Sequence, residues 1–113
     1  MTIYALSSDP GISGVAVIRL SGQETIKVIK LLTGKELPKP RVATLRKINK
    51  INTSELIDEG LIMWFPGPES YTGEDMAEIQ VHGSKAVVDA LHSSLSDIEN
   101  CRLAEPGEFT KLA

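Results

Sequence analysis

The sequence predicts an α+β fold, a mixed sheet with helices packed on one face, and three observations carry that prediction. Residues 15–20 and 76–81 alternate apolar and polar side chains with the period of two that a half-buried strand imposes. Residues 26–32 and 87–95 instead space their apolar side chains as amphipathic helices do. The resulting order is strand, helix, two strands, loop, strand, helix, strand. Consecutive strands between two helices point to a sheet covered on one side rather than to repeated strand-helix-strand crossovers.

Residues 2–5 read as a short strand, and Ser7-Ser8-Asp9-Pro10-Gly11 has the composition of a loop. In the strand that follows, Ala16, Ile18 and Leu20 share one face while Val15, Val17 and Arg19 share the other. Ser21 with Glu24 three residues on predicts a capping box. The helix it would open buries Ile26, Val28, Ile29, Leu31 and Leu32, keeps Lys27 and Lys30 outside, and closes at Gly34. Pro38 and Pro40 mark a loop. Residues 41–51 and 56–65 form a hairpin across the turn Asn52-Thr53-Ser54. In 76–81, Ala77, Ile79 and Val81 face the core, so Glu78 emerges from the opposite face, as Arg19 does. Val87, Val88, Leu91 and Leu95 place a second helix at 84–95, residues 98–104 make a last strand, and Glu105-Pro106-Gly107 turns the chain into a helix opening near Glu108. That helix is unfinished at Ala113, which gives the expectation of a chain cut from a longer protein.

Length and composition bound the function classes. With 113 residues, 42% of them apolar, there is room for one domain with one core. No apolar run approaches the roughly 20 residues of a membrane helix, so the expected location is cytoplasmic, with no membrane anchor. The single cysteine, Cys101, excludes an internal disulfide and is expected to be a buried thiol. His82 and His92 lack the partners of a metal site; His82 reads as a loop anchor and His92 as a solvated helix residue. Gly11-Ile12-Ser13-Gly14 precedes a strand where a dinucleotide fingerprint must follow one, and Gly34-Lys35 lacks the rest of a phosphate loop. No catalytic group or nucleophile elbow stands out. The net charge of −3 hides a segregation: residues 27–50 carry eight Lys or Arg against Glu36 alone. Lys27, Lys30, Lys35, Lys39, Arg41, Arg46, Lys47 and Lys50 suit either a patch for RNA or a folate glutamate tail, or merely solvated faces.

Three blocks carry a family resemblance over the whole chain. Phe65-Pro66-Gly67-Pro68-Glu69-Ser70-Tyr71-Thr72-Gly73-Glu74-Asp75, running through Glu78 to His82-Gly83, resembles F-P-G-P-x-S-[FY]-T-G-E-D-x-x-E-x-x-x-H-G of the tRNA wobble-uridine modification GTPases, the MnmE or TrmE family. Gly14-Val15-Ala16-Val17-Ile18-Arg19-Leu20-Ser21-Gly22 is similar to that family's G-V-x-I-[IL]-R-[IL]-S-G, and Arg102-Leu103-Ala104-Glu105-Pro106-Gly107-Glu108-Phe109 to its R-x-A-x-P-G-E-F. The chain departs from the pattern at Ser84, where a second glycine is usual, and at Leu112, where an arginine is usual.

On the residues alone, Arg19 and Glu78 suit a cross-sheet pair or solvated side chains more readily than a ligand site. The resemblance implies that residues 1–113 are an N-terminal folate-binding and dimerisation domain, with a fold resembling the tetrahydrofolate-binding domain of aminomethyltransferases. It implies that Arg19 and Glu78 contact 5,10-methylene- or 5-formyl-tetrahydrofolate, together with a lysine beyond Ala113. Tyr71, Thr72 and Glu74, with Gly73 and Asp75, are implied as pocket wall or dimer contact, with turn chemistry the equal alternative. For the parent protein it implies a helical domain with an inserted G domain using GTP, Mg2+ and K+. The implied partners are a second copy, a flavin-dependent protein of the MnmG or GidA type, and tRNA, whose wobble uridine receives an aminomethyl or carboxymethylaminomethyl group. The fragment alone is then a binding and pairing unit. The rivals are a folate-dependent aminomethyltransferase-like domain and a purely structural dimerisation module.

Overall fold

The computed structural model describes residues 1–7 and 14–113. Most of the expected loop at 7–11, and the Gly11-Ile12-Ser13 part of the excluded fingerprint, lie outside the described residues. The elements are β1 (Thr2–Leu6), β2 (Val15–Ser21), α1 (Thr25–Thr33), β3 (Thr44–Asn49), β4 (Leu56–Phe65), β5 (Met76–His82), α2 (Lys85–Ser96), β6 (Cys101–Leu103) and α3 (Glu108–Leu112). The six strands form one sheet in the order β3-β4-β5-β2-β1-β6, antiparallel throughout except for the parallel pair of β1 and β6. The fold is therefore α+β with a mixed sheet.

Alternation sorts each central strand into a core face and an open face. Ala16, Ile18 and Leu20 of β2, Ile62 and Trp64 of β4, and Ala77, Ile79 and Val81 of β5 belong to a single buried cluster. Val28, Ile29 and Leu32 of α1 and Val88, Leu91 and Leu95 of α2 complete that same cluster, whereas α3 contributes no buried residue. The opposite parity puts Arg19, Met63, Phe65, Met76, Glu78 and Gln80 together on the other face. Gly60 is what lets β4 and β5 close up: a Cβ there would stand 2.1 Å from the Gln80 carbonyl oxygen.

Several local expectations are corrected. Ser21 does not cap α1; it is the last residue of β2, and Glu24 precedes the helix without a side-chain cap. Its place is taken by Thr2, whose Oγ1 accepts from the Glu24 N–H at 2.7 Å, while the Thr25 hydroxyl donates to the Gly22 carbonyl at 2.8 Å. The first strand of the hairpin is shorter than 41–51. Arg41 sits at φ 63° and donates its N–H to the Trp64 carbonyl, so it turns before the ladder starts, and Lys50 N–H to Glu55 O closes the turn at the other end. The last strand begins at Cys101 rather than at 98, because Ile98 is held in a turn and Asn100 has φ 62°. His92 is not simply solvated: it is half-buried and its ring tilts against Tyr4 at 5.5 Å between centroids. The departure from the family pattern at Ser84 causes no disturbance, and α1 ends where the sequence places its end. Ser84 caps α2 by accepting from the Val87 N–H, and Gly34 ends α1 in the left-handed conformation at φ 67°.

Candidate ligand-binding site

Arg19 and Glu78 are register partners on neighbouring strands, so both project from the open face of the sheet. Arg19 Nε donates to Glu78 Oε2 at 2.9 Å, and the side chains keep 37% and 22% of their surface exposed. That bond occupies one nitrogen and one oxygen. Among the described residues, the two Arg19 Nη groups and Glu78 Oε1 have no hydrogen-bond partner, so a fork of donors and an acceptor remain available side by side.

These two groups, with Phe65, Tyr71 and Met76, line a cavity of about 240 Å3. The Arg19 guanidinium lies over the Tyr71 ring, 5.8 Å from its centroid, within cation–π range. The cavity thus joins one cation, one anion and an apolar wall with two aromatic rings. Arg19 also stands in the lining of a second cavity, of about 540 Å3, between the end of β1 at Ala5 and Leu6 and the segment from Leu103 to Thr110.

The loop between β4 and β5 is what brings Tyr71 to Arg19, and its polar residues hold it there. Asp75 Oδ1 accepts from the Gly67 N–H at 2.9 Å, and the Asp75 carbonyl accepts from Gly22 N–H and Thr25 Oγ1. Ser21 Oγ donates to Glu74 Oε1 and shares a bond with Thr72 Oγ1, both at 2.8 Å. Gly73 takes φ 81°, which a side chain would strain. Arg41 reaches across from the other side to donate through Nη2 to the Glu69 carbonyl. Of the residues singled out from sequence, the structure brings together Arg19, Glu78 and Tyr71. Thr72 and Glu74 are turned towards Ser21 and tie the loop to the end of β2.

Sequence reasoning passed over Phe65 and Met76 as lining residues and Ser21 and Arg41 as anchors. For Met76 the signal was present, since alternation already put it on the face of Glu78. For Ser21 and Arg41 there was none: each acts through a loop 28 to 53 residues away.

At the lining of the second cavity, Arg102 clamps Glu108 with two bonds, Nη1 to Oε1 at 2.8 Å and Nη2 to Oε2 at 2.5 Å, and the Glu105 N–H adds a third at 2.9 Å. The Arg102 fork first, and the Glu105 amide second, pull the Glu108 carboxyl down to about 2. Burial pushes the Cys101 thiol up to about 11, away from the reactive thiolate. At the far end of the sheet, His82 donates its backbone N–H to Asp58 and turns its ring Nδ1 onto the same carboxylate at 2.9 Å. Burial pushes the Asp58 carboxyl up, but the bonds from His82 and Glu59 outweigh it and leave it below the usual range. Among the described residues no three His, Cys, Asp or Glu groups converge as metal ligands, and no helix is long and apolar enough to cross a membrane.

Comparison with known proteins gives this geometry a family. Residues 2–113 match the family model described as GTP-binding protein TrmE N-terminus. The chain is 78% identical over 113 residues to a tRNA modification GTPase MnmE of Pelagibacter ubique, covering all of this chain and 26% of that protein. It is 50% identical to the mitochondrial tRNA modification GTPase mss1 of Schizosaccharomyces pombe, and 48% identical to a mitochondrial 5-taurinomethyluridine tRNA synthase subunit of Danio rerio. In each case 99% of this chain is covered, against 23% and 22% of the relative. The chain spans about a quarter of the length of these relatives.

Proposed function

Because the chain belongs to the TrmE N-terminal family, we propose that it is the tetrahydrofolate-binding and dimerisation domain of a tRNA modification GTPase. The observation that carries this reading is the Arg19–Glu78 pair, half-exposed in an aromatic-walled cavity with Oε1 and both Nη groups open. A pterin presents a ring N–H and an exocyclic amine side by side, and the Glu78 carboxylate is placed to accept from them. Arg19 offers a planar fork to an acceptor edge or to a carboxylate of the tail. Phe65, Tyr71 and Met76 supply the apolar surface against which a flat ring packs. The larger cavity that shares Arg19 gives room for the remainder of the molecule. Bound there, 5,10-methylene- or 5-formyl-tetrahydrofolate supplies a one-carbon unit; the chain's own part is to bind and orient it.

The rest of the reading concerns the parent protein. In it this domain pairs with a second copy in the cytoplasm, while GTP, Mg2+ and K+ are handled by a G domain inserted in a helical domain. A flavin-dependent partner of the MnmG type then joins it in placing the (carboxymethyl)aminomethyl group on the wobble uridine of tRNA. The resemblance to aminomethyltransferase folate domains, and the role of this chain as one such unit, belong to the same proposal.

The 2.9 Å bond between Arg19 and Glu78 favours one rival, a purely structural cross-strand pair. Calorimetry with 5-formyl-tetrahydrofolate separates the two. Glu78→Gln exchanges an acceptor oxygen for a donor and removes a charged hydrogen bond, which costs about 1.5–3 kcal/mol, or roughly 10- to 100-fold in affinity. A half-exposed pair contributes only about 0–1 kcal/mol to stability, so the melting temperature should move little. Binding retained in Glu78→Gln, or a large loss of stability with it, assigns Glu78 to the structure alone.

A further inference from the structure

We propose that α1, the 34–41 segment and β3 form a cationic track that docks the phosphate backbone of RNA. This rests on the reading of the parent as a tRNA-modifying protein. The chain as a whole is acidic, at −3, yet eight of its twelve Lys and Arg fall in residues 27–50. They fall on three neighbouring parts of the fold, with Lys47 set apart by alternation on the face of β3 opposite to Arg46 and Ile48. α1 packs on β3, which is an edge strand of the sheet, and the segment between them is tied to β4 by the Pro40 bridge and the Arg41 N–H to Trp64. Lys27 and Lys30 stand three residues apart on the exposed side of α1, and Lys35, Lys39 and Arg41 follow on exposed positions.

Neutralisation within the track is partial. Lys30 pairs with Glu36 at 3.2 Å and Lys50 with Glu55 at 3.1 Å, while Lys47, across from Glu59 in the hairpin register, makes no ion pair among the described residues. Lys27, Lys35, Lys39, Arg41 and Arg46 make no ion pair among the described residues. A folate tail would engage two or three of these cations; five, spread over a helix, a loop and a strand edge, suit a longer polyanion. The track also has a direction. Its Arg41 bonds the Glu69 carbonyl, two residues from Tyr71 of the candidate cavity, so RNA phosphates on the track lie beside the site proposed for the one-carbon donor.

The test is fluorescence anisotropy of a short RNA stem-loop shaped as a tRNA anticodon arm. Engagement of five cations predicts a slope of log K against log salt of about −3.5 to −4.5, so lowering salt from about 200 to about 50 mM should tighten binding roughly 100- to 500-fold. The triple variant Lys27→Glu, Lys35→Glu, Lys39→Glu should weaken binding more than tenfold and flatten the slope. Lys85→Glu with Lys111→Glu lowers net charge on other elements, and should change affinity less than threefold. Equal losses in the two variants would reduce the effect to net charge and overturn the track. Anionic lipid vesicles competing better than RNA would overturn the choice of partner. A folate titration of the triple variant keeps the two proposals apart: intact folate binding with unchanged RNA affinity sinks the track alone, and lost folate binding in the unaltered chain with RNA binding retained sinks the folate site alone.

Discussion

Ser21→Ala isolates the tie between the sheet and the loop that carries Tyr71. Ser21 is wholly buried, and its hydroxyl holds Thr72 Oγ1 and Glu74 Oε1 at 2.8 Å each. A neutral hydrogen bond contributes about 1 kcal/mol and one to a charged group about 1.5–3 kcal/mol. Glu74 is half-buried and regains water, whereas Thr72, 8% exposed, keeps only its contact with the Glu74 N–H at 3.3 Å. The net cost is therefore about 2–3 kcal/mol, or roughly 8–15 °C in melting temperature for a domain of this size. The freed loop must also be ordered again whenever a ligand packs on Tyr71, at about 1 kcal/mol or more per residue fixed, so folate affinity should fall about tenfold. Urea denaturation and calorimetry on the same variant read both effects. A melting temperature within about 1 °C of the parent, or a lower one with undiminished folate affinity, would refute the claim that Ser21 positions the Tyr71 wall.

Gly60→Ala places a Cβ 2.1 Å from the Gln80 carbonyl where ordinary contact begins at 3.4 Å, so β4 and β5 must part and lose ladder bonds. A loss of about 3 kcal/mol is expected in urea denaturation, whereas Gly14→Ala, with nothing within 4 Å, should change stability by less than about 0.5 kcal/mol. For Glu108 the folded carboxyl lies near 2, below its ordinary 4.5, so its contribution is present above pH 4.5 and is lost as pH falls towards 2. Melting temperatures recorded across that window should fall less steeply for Arg102→Ala than for the parent; equal slopes would mean the clamp is not formed in solution.

The strands and helices were legible because each is specified within a few residues of itself. The alternation at 15–20 and 76–81 separates core from open face without any tertiary knowledge, and it put Arg19 and Glu78 on matching faces. What it cannot supply is register. That Arg19 stands directly across from Glu78, 59 residues away, depends on how β2 and β5 slide against each other. Part of that choice resides in Gly22, whose N–H meets the Asp75 carbonyl, and in Ser21 meeting Thr72 and Glu74. The misread capping box has the same origin. Ser21 and Glu24 have the local spacing of a cap, but a burial site at the strand end offered the serine two stronger partners, and Thr2 supplied the helix with an acceptor from another strand. Arg19, Glu78 and Tyr71 were thus legible as single residues, whereas the anchors Ser21 and Arg41 that hold the Tyr71 loop were not. A loop rich in Gly, Pro and carboxylates looks like solvated turn chemistry until Ser21 of β2, Thr25 of α1 and Arg41 before β3 tie it down, and only then does Tyr71 become a wall for the Arg19–Glu78 pair.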